Sequence, residues 1–192
     1  YPAEDLPEGG ADWTVLNELP FAENGAGYVS GIRHRLYLFD SVTGALTPLT
    51  GETFQVRNGF AVRRDGGMIA YMGMDIDYME VQKLGIFVYD VAGETRHLLP
   101  LDRYKLRHID FLGDKVLFTG ADGSRYIWSQ NAWFYTLDAV TGEEQVLCSP
   151  FQMPVNNSIN SDCRYGGGRM LQVVDGDVYY RENSRMVKPE LN

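Results

Sequence analysis

Trp133-Phe134-Tyr135-Thr136-Leu137-Asp138 runs through Thr141-Gly142 into Glu144-Gln145-Val146-Leu147. The same design occurs twice earlier in the chain. Arg35-Leu36-Tyr37-Leu38-Phe39-Asp40 runs through Thr43-Gly44 into Leu46-Thr47-Pro48-Leu49. Ile86-Phe87-Val88-Tyr89-Asp90 runs through Ala92-Gly93 into Thr95-Arg96-His97-Leu98. From Asp40 to Asp90 is 50 residues, and from Asp90 to Asp138 is 48. A period near fifty marks a fold built from repeated supersecondary units. Each unit reads as strand, tight turn, strand. Glycine supplies the positive φ that such turns need, and aspartate bonds back onto the turn backbone. The strand before each turn is apolar at both alternations; Leu36 and Leu38 point one way, Tyr37 and Phe39 the other. Such a strand is expected to be buried on both faces, between two layers.

A second hairpin repeats between these. Phe60-Ala61-Val62 leads through Asp65-Gly66-Gly67 into Met68-Ile69-Ala70-Tyr71. Ile109-Asp110-Phe111-Leu112 leads through Gly113-Asp114 into Lys115-Val116-Leu117-Phe118. Leu171-Gln172-Val173-Val174 leads through Asp175-Gly176 into Asp177-Val178-Tyr179-Tyr180. Two hairpins per period make four antiparallel strands, the blade of a β-propeller. The predicted fold is all-β: a single β-propeller segment over residues 1–192, with about three to four blades. Units are expected at about 11–50 (the least regular), 55–99 and 104–148, with a partial one at 165–192. Propellers close with typically four to eight blades, so an incomplete propeller is expected. The chain, which starts at Tyr1 and not Met, then reads as a piece of a larger propeller. Otherwise two copies close the ring as a homodimer.

Composition narrows the function. The 192 residues are 44% hydrophobic and carry a formal net charge of −9. Lys and Arg are scattered without a basic patch, which argues against nucleic acid as a partner. No apolar run approaches the ~18 residues of a membrane span, and no signal peptide is visible. Cys148 and Cys163 do not make a disulfide framework. Two reduced thiols fit a cytoplasmic protein.

Chemistry-bearing patterns are sparse. A nucleophile elbow requires Gly-x-Ser-x-Gly, because side chains beside the serine would clash in the strand–turn–helix. Gly27-Tyr28-Val29-Ser30-Gly31 and Gly120-Ala121-Asp122-Gly123-Ser124 both miss that spacing. His34, His97 and His108 lie in or beside strands and read as structural. Asp75, Asp77 and Glu80 form an acidic loop, but Met79 and Glu80 break the calcium-loop pattern. No metal or cofactor is expected. Gly166-Gly167-Gly168 follows Asp162-Cys163-Arg164. The run reads either as a flexible loop entering a strand or as an axial loop presenting Arg164 to a peptide carbonyl or carboxylate, for which a guanidinium offers a fork of donors. Asp162 would hold the arginine, and Asn24 and Tyr28 would line the same face.

The order of these segments resembles the propeller of the prolyl oligopeptidase family of serine peptidases, in its acylaminoacyl-peptidase or dipeptidyl-aminopeptidase branch. The likeness rests on the hairpins at Asp40, Asp90 and Asp138 and on Asp65-Gly66-Gly67-Met68-Ile69-Ala70-Tyr71. Two further stretches carry it: Asn24-Gly25-Ala26-Gly27-Tyr28, and Ser161-Asp162-Cys163-Arg164-Tyr165-Gly166-Gly167-Gly168. It extends from about Leu16 to Tyr180, with Arg63-Arg64 standing where the family usually has Ser-Pro. The resemblance implies a non-catalytic lid and selectivity filter. Its partners would be an α/β-hydrolase domain, which carries the catalytic triad, and a peptide substrate. No catalytic residue is carried over to this chain. The second reading is a stand-alone or sensor-type propeller that binds a protein or peptide partner.

Overall fold

The computed structural model describes residues 15–23, 25–77, 84–126, 130–148, 169–182 and 185–187. Among them there are strands and turns and no helix. A small hairpin, β1 (Ala22–Glu23) and β2 (Gly27–Tyr28), comes first, followed by a second, β3 (Tyr37–Phe39) and β4 (Leu46–Pro48). Then comes a four-stranded sheet: β5 (Phe54–Val62), β6 (Met68–Asp75), β7 (Gly85–Asp90) and β8 (Glu94–Leu99). A second contains β9 (Lys105–Leu112), β10 (Lys115–Ala121), β11 (Trp133–Asp138) and β12 (Glu144–Cys148). The last sheet holds β13 (Leu171–Val174), β14 (Asp177–Glu182) and β15 (Arg185–Val187). Strand order in every sheet follows the chain, and every pairing is antiparallel. These meanders are β-propeller blades.

The outer hairpins form as their sequence dictates. Asp40 Oδ1 accepts from the Val42 and Thr43 amides at 2.8 and 3.2 Å. Asp138 Oδ1 does the same with Val140 and Thr141 at 2.9 and 2.8 Å. Gly44 and Gly142 close these turns at φ 73° each. The turn at Asp90 is one residue shorter; its carboxylate accepts from the Ala92 amide at 3.0 Å and lies 3.5 Å from the Arg96 guanidinium. These N–H donors favour the charged form, holding the carboxyls of Asp40 and Asp138 below the usual range.

The core explains why the strands are apolar on both alternations. On β6, Ala70, Met72 and Met74 join Ile86 and Val88 of β7 in one cluster. Val116, Phe118, Tyr135 and Leu137 of the next sheet complete that cluster. Intervening residues turn the other way: Tyr71 is buried with Phe54 and Leu36, and Phe87 and Tyr89 pack against them. Leu117 and Phe134 face the last sheet and pack with Leu171, Val178 and Tyr180. Each four-stranded sheet is thus a middle layer. Burying a large apolar side chain stabilises by about 1.5–3 kcal/mol, and Ile86, Val88, Phe118 and Leu137 are all 0% exposed.

β3 departs from the expectation of burial on both faces. Tyr37, Leu38 and Phe39 are exposed, and only Leu36, just before the strand, is buried. Among the described residues the β3–β4 hairpin has a layer on one side only, through Leu36 and Leu49 against Phe54 and Tyr71. The last sheet also differs from the sequence reading, which identified only its first hairpin; β15 pairs with β14 as a third strand.

Strand β5 carries a bulge, with its register shifting between Val56 and Phe60. Asn58 and Gly59 take φ 57° and 94° there, a region asparagine and glycine tolerate best. The bulge turns Asn58 toward the next sheet, where Nδ2 donates to the Leu106 carbonyl at 2.9 Å. Close packing elsewhere makes some glycines irreplaceable. A Cβ on Gly73 would lie 2.3 Å from Phe54 Cε1 and 2.6 Å from the Gln55 carbonyl oxygen. On Gly44 it would meet nothing within 4 Å. Gly73→Ala is therefore expected to cost about 3 kcal/mol or more by overpacking, and Gly44→Ala about 1–2 kcal/mol through its positive φ alone. Urea unfolding of the two variants checks this; equal losses would contradict the packing described.

Candidate functional site

The first strands of the three larger sheets, β5, β9 and β13, lie side by side. Their hairpin turns converge on one rim. Two adjacent arginines span that rim. Arg63 forms a 2.8 Å ion pair with Asp65 in its own turn and reaches Asp114, in the turn of the second sheet, at 3.8 Å. Arg64 reaches Asp175, in the turn of the last sheet, at 3.4 Å. Arg63-Arg64 thus links three turns that the chain separates widely. Asp114 and Asp175 are largely exposed, so each link is worth at most about 1 kcal/mol.

Below the rim Asp110 of β9 is buried and fully engaged. Its Oδ1 accepts from the Phe111 amide at 2.8 Å, and its Oδ2 from the Val173 amide of β13 at 3.1 Å. A cleft of about 510 Å³ opens beside it, lined among others by Val62, Arg64, Phe111, Arg169, Val174 and Asp175.

At the start of β5 a second polar cluster holds the N-terminal hairpins. Glu18 pairs with Arg33 and also accepts from the Gly31 amide at 2.8 Å. Glu23 pairs with Arg57 at 2.7 Å. Gln55 accepts from the His34 amide at 3.0 Å, and its Nε2 lies 3.0 Å from His34 Nδ1. The Arg33 guanidinium and the Gly31 amide lower the pKa of Glu18. The void enclosed here is about 30 Å³, room for little more than water.

Of the four residues expected to face substrate, Tyr28 lies on β2 with 72% of its surface exposed. The Glu23–Arg57 pair anchors its hairpin to β5. Asn24, Asp162 and Arg164 lie outside the described residues, as do Cys163 and Glu80.

The histidines and serines singled out in the sequence have structural surroundings. His97 stacks on Phe87 with ring centroids 4.4 Å apart. His108 lies inside β9, opposite Thr119, and not beside the strand's start. Ser124 Oγ donates to Asp122 at 2.9 Å, and that carboxyl is held below its usual range chiefly by the Ser124 amide. Asp75 accepts from Thr53 Oγ1 at 2.8 Å. Among the described residues there is no group of acidic, histidine or cysteine side chains placed to hold a metal. No helix there is long and apolar enough to cross a membrane. Cys148 is buried, which pushes its thiol pKa up. Tyr135 is likewise raised, by burial first and then by the neighbouring Tyr104. Tyr104 in turn donates to Glu144 at 2.8 Å.

The cleft brings together two guanidiniums, Arg64 and Arg169, two carboxylates, Asp110 and Asp175, and the apolar side chains of Val62, Phe111 and Val174. Sequence reasoning missed it because Arg64 and Asp175 are 111 residues apart. The one signal in the sequence was the adjacent pair Arg63-Arg64 beside a turn.

Comparison with known proteins places the chain beside two solved structures. It aligns with an oligogalacturonate lyase in complex with manganese at 10% identity and a TM-score of 0.48, covering 84% of this chain and 48% of the lyase. It aligns with a puromycin-hydrolyzing peptidase of Mycobacterium tuberculosis at 17% identity and a TM-score of 0.42, covering 77% of this chain and 22% of the peptidase. The chain thus spans less than half the length of either. No family model and no curated protein sequence matches it.

Asp110 is the polar tie between β9 and β13. Asp110→Ala leaves the Val173 amide without its acceptor, an expected cost of about 1–3 kcal/mol. Hydrogen exchange at Val173 should quicken while β6 and β7 stay protected. Unchanged exchange at Val173 would show that the bond does not form.

Proposed function

We infer that this chain is the non-catalytic propeller segment of a prolyl-oligopeptidase-like serine peptidase, of the acylaminoacyl-peptidase or dipeptidyl-aminopeptidase type. What supports the reading is the alternation of two hairpin kinds in a fifty-residue period. Asp-Gly-type turns join the first two strands of each blade, and Asp-x-Val-Thr-Gly turns or the shorter Asp-Val-Ala-Gly join the last two. That order carries the family resemblance along most of the chain.

In this reading the reaction is acyl transfer to a serine of an α/β-hydrolase domain on the same polypeptide. The blades cover that site in the cytoplasm and admit only short peptides. Their contribution is selective binding, so their residues act on the specificity constant rather than on bond making. Tyr28, on its anchored hairpin, presents an exposed ring to such a peptide, and Asn24, Asp162 and Arg164 are proposed to share that face. Arg164 would supply paired donors to a peptide carbonyl or carboxylate.

The test uses the native polypeptide that carries these blades. It is expected to encode Gly-x-Ser-x-Gly beyond them and to be labelled by a fluorophosphonate at that serine. Arg164→Ala should lower kcat/KM for short peptides by about tenfold or more, with labelling retained. A native polypeptide that is not labelled overturns the reading; unchanged kcat/KM removes Arg164 from it.

A further inference from the structure

We propose that the cleft at the inner-turn rim binds the free carboxylate end of a short peptide, gripped between Arg64 and Arg169. The choice of a peptide rests on the peptidase reading above; the preference for a carboxylate rests on the cleft itself. At about 510 Å³ it falls within the range of small-ligand sites, roughly 300–1,000 Å³. Its apolar surface comes from Val62, Phe111 and Val174, of which Val62 and Val174 are 49% and 42% exposed. Branched side chains left half in water are open to a ligand's own apolar groups.

The charges are arranged to receive an anion. Arg169 makes no ion pair or hydrogen bond with any described residue. Among the described residues Arg64 is held only by the exposed 3.4 Å contact with Asp175, a pair worth little in water and easily exchanged. Asp110, the buried carboxylate in the wall, has both oxygens turned onto backbone amides, which offsets its repulsion of a second carboxylate. A carboxylate between two guanidiniums gains charge-assisted, paired hydrogen bonds. Asp175, displaced from Arg64, then stands free to accept an N–H from further along the peptide. In a chain of net charge −9, Arg64 and Arg169 offset Asp110 and Asp175 in the lining of this cleft, so the lining presents no net negative charge to an anion.

The experiment is an amide NMR titration of the ¹⁵N-labelled chain with trialanine, trialanine amide and acetate. Trialanine is expected to shift the amides of Gly113, Val174 and Gly176, with millimolar saturation. The amide form should bind at least about tenfold more weakly, and Arg64→Ala and Arg169→Ala should each weaken trialanine by a similar factor, about 1.4 kcal/mol. Both side chains are exposed, so the variants are expected to fold, and their unperturbed spectra verify it. Equal affinity for the amide form overturns the proposal, as do shifts confined to other residues and affinities unmoved by both variants. Acetate binding as tightly as trialanine also overturns it, as an adventitious ion only. No catalytic readout enters the titration. Loss of the peptidase reading leaves a positive titration standing, and a negative titration leaves the peptidase reading standing.

Discussion

Every blade here depends on the packing of one sheet's face against the next. The two alternations of a single strand serve two different interfaces: on β7, Ile86 and Val88 belong to the contact with the following blade, and Phe87 and Tyr89 to the contact with the preceding hairpin. β11 divides in the same way, with Tyr135 and Leu137 on one side and Phe134 on the other. A lone four-stranded meander with two apolar faces has no stable existence in water, because both faces must leave it. Blade stacking is therefore the condition for each blade to fold, and stability is a sum over neighbours.

Polar residues set the order and spacing of that stack. Gln55 bonds the His34 segment, Asn58 bonds Leu106, and Asp110 bonds Val173. All three lie on the first strands of blades, where neighbouring sheets approach most closely. Hydrophobic packing alone tolerates sliding between faces, whereas a directed hydrogen bond does not. The arginine pair at 63 and 64 extends the same linkage to the turns. The rim where those turns meet is consequently the place where three blades together shape a cleft.

Much of this was legible in the sequence. The Asp…Gly turns and the doubly apolar strands at Ile86 and Trp133 identify blades because both signals are local. β3 shows the limit of such reasoning. Its pattern, Leu36-Tyr37-Leu38-Phe39, is as apolar as that of β7, yet its outer face is exposed, because burial depends on the neighbouring layer and not on the strand. The β5 bulge was equally hidden. Asn58-Gly59 reads as an ordinary turn pair, and only the pairing with β6 shows it to be a kink that aims a side chain at the next blade. The cleft was illegible for a simpler reason: its arginines and acids come from three hairpins, and no local pattern records their meeting. Tyr28 lies on a hairpin with its ring exposed, as the short Gly-rich stretch around it suggested.

The claim that blades fold only through their shared faces is tested most directly by native-state hydrogen exchange as urea is raised. The account predicts that amides of β6 and β7 and those of β10 and β11 converge on one opening free energy and one urea dependence. Phe118→Ala, a truncation in the shared cluster expected to cost about 3–5 kcal/mol, should lower that common value in both blades. Two separate opening energies, with Phe118→Ala weakening β10 and β11 alone, would contradict it.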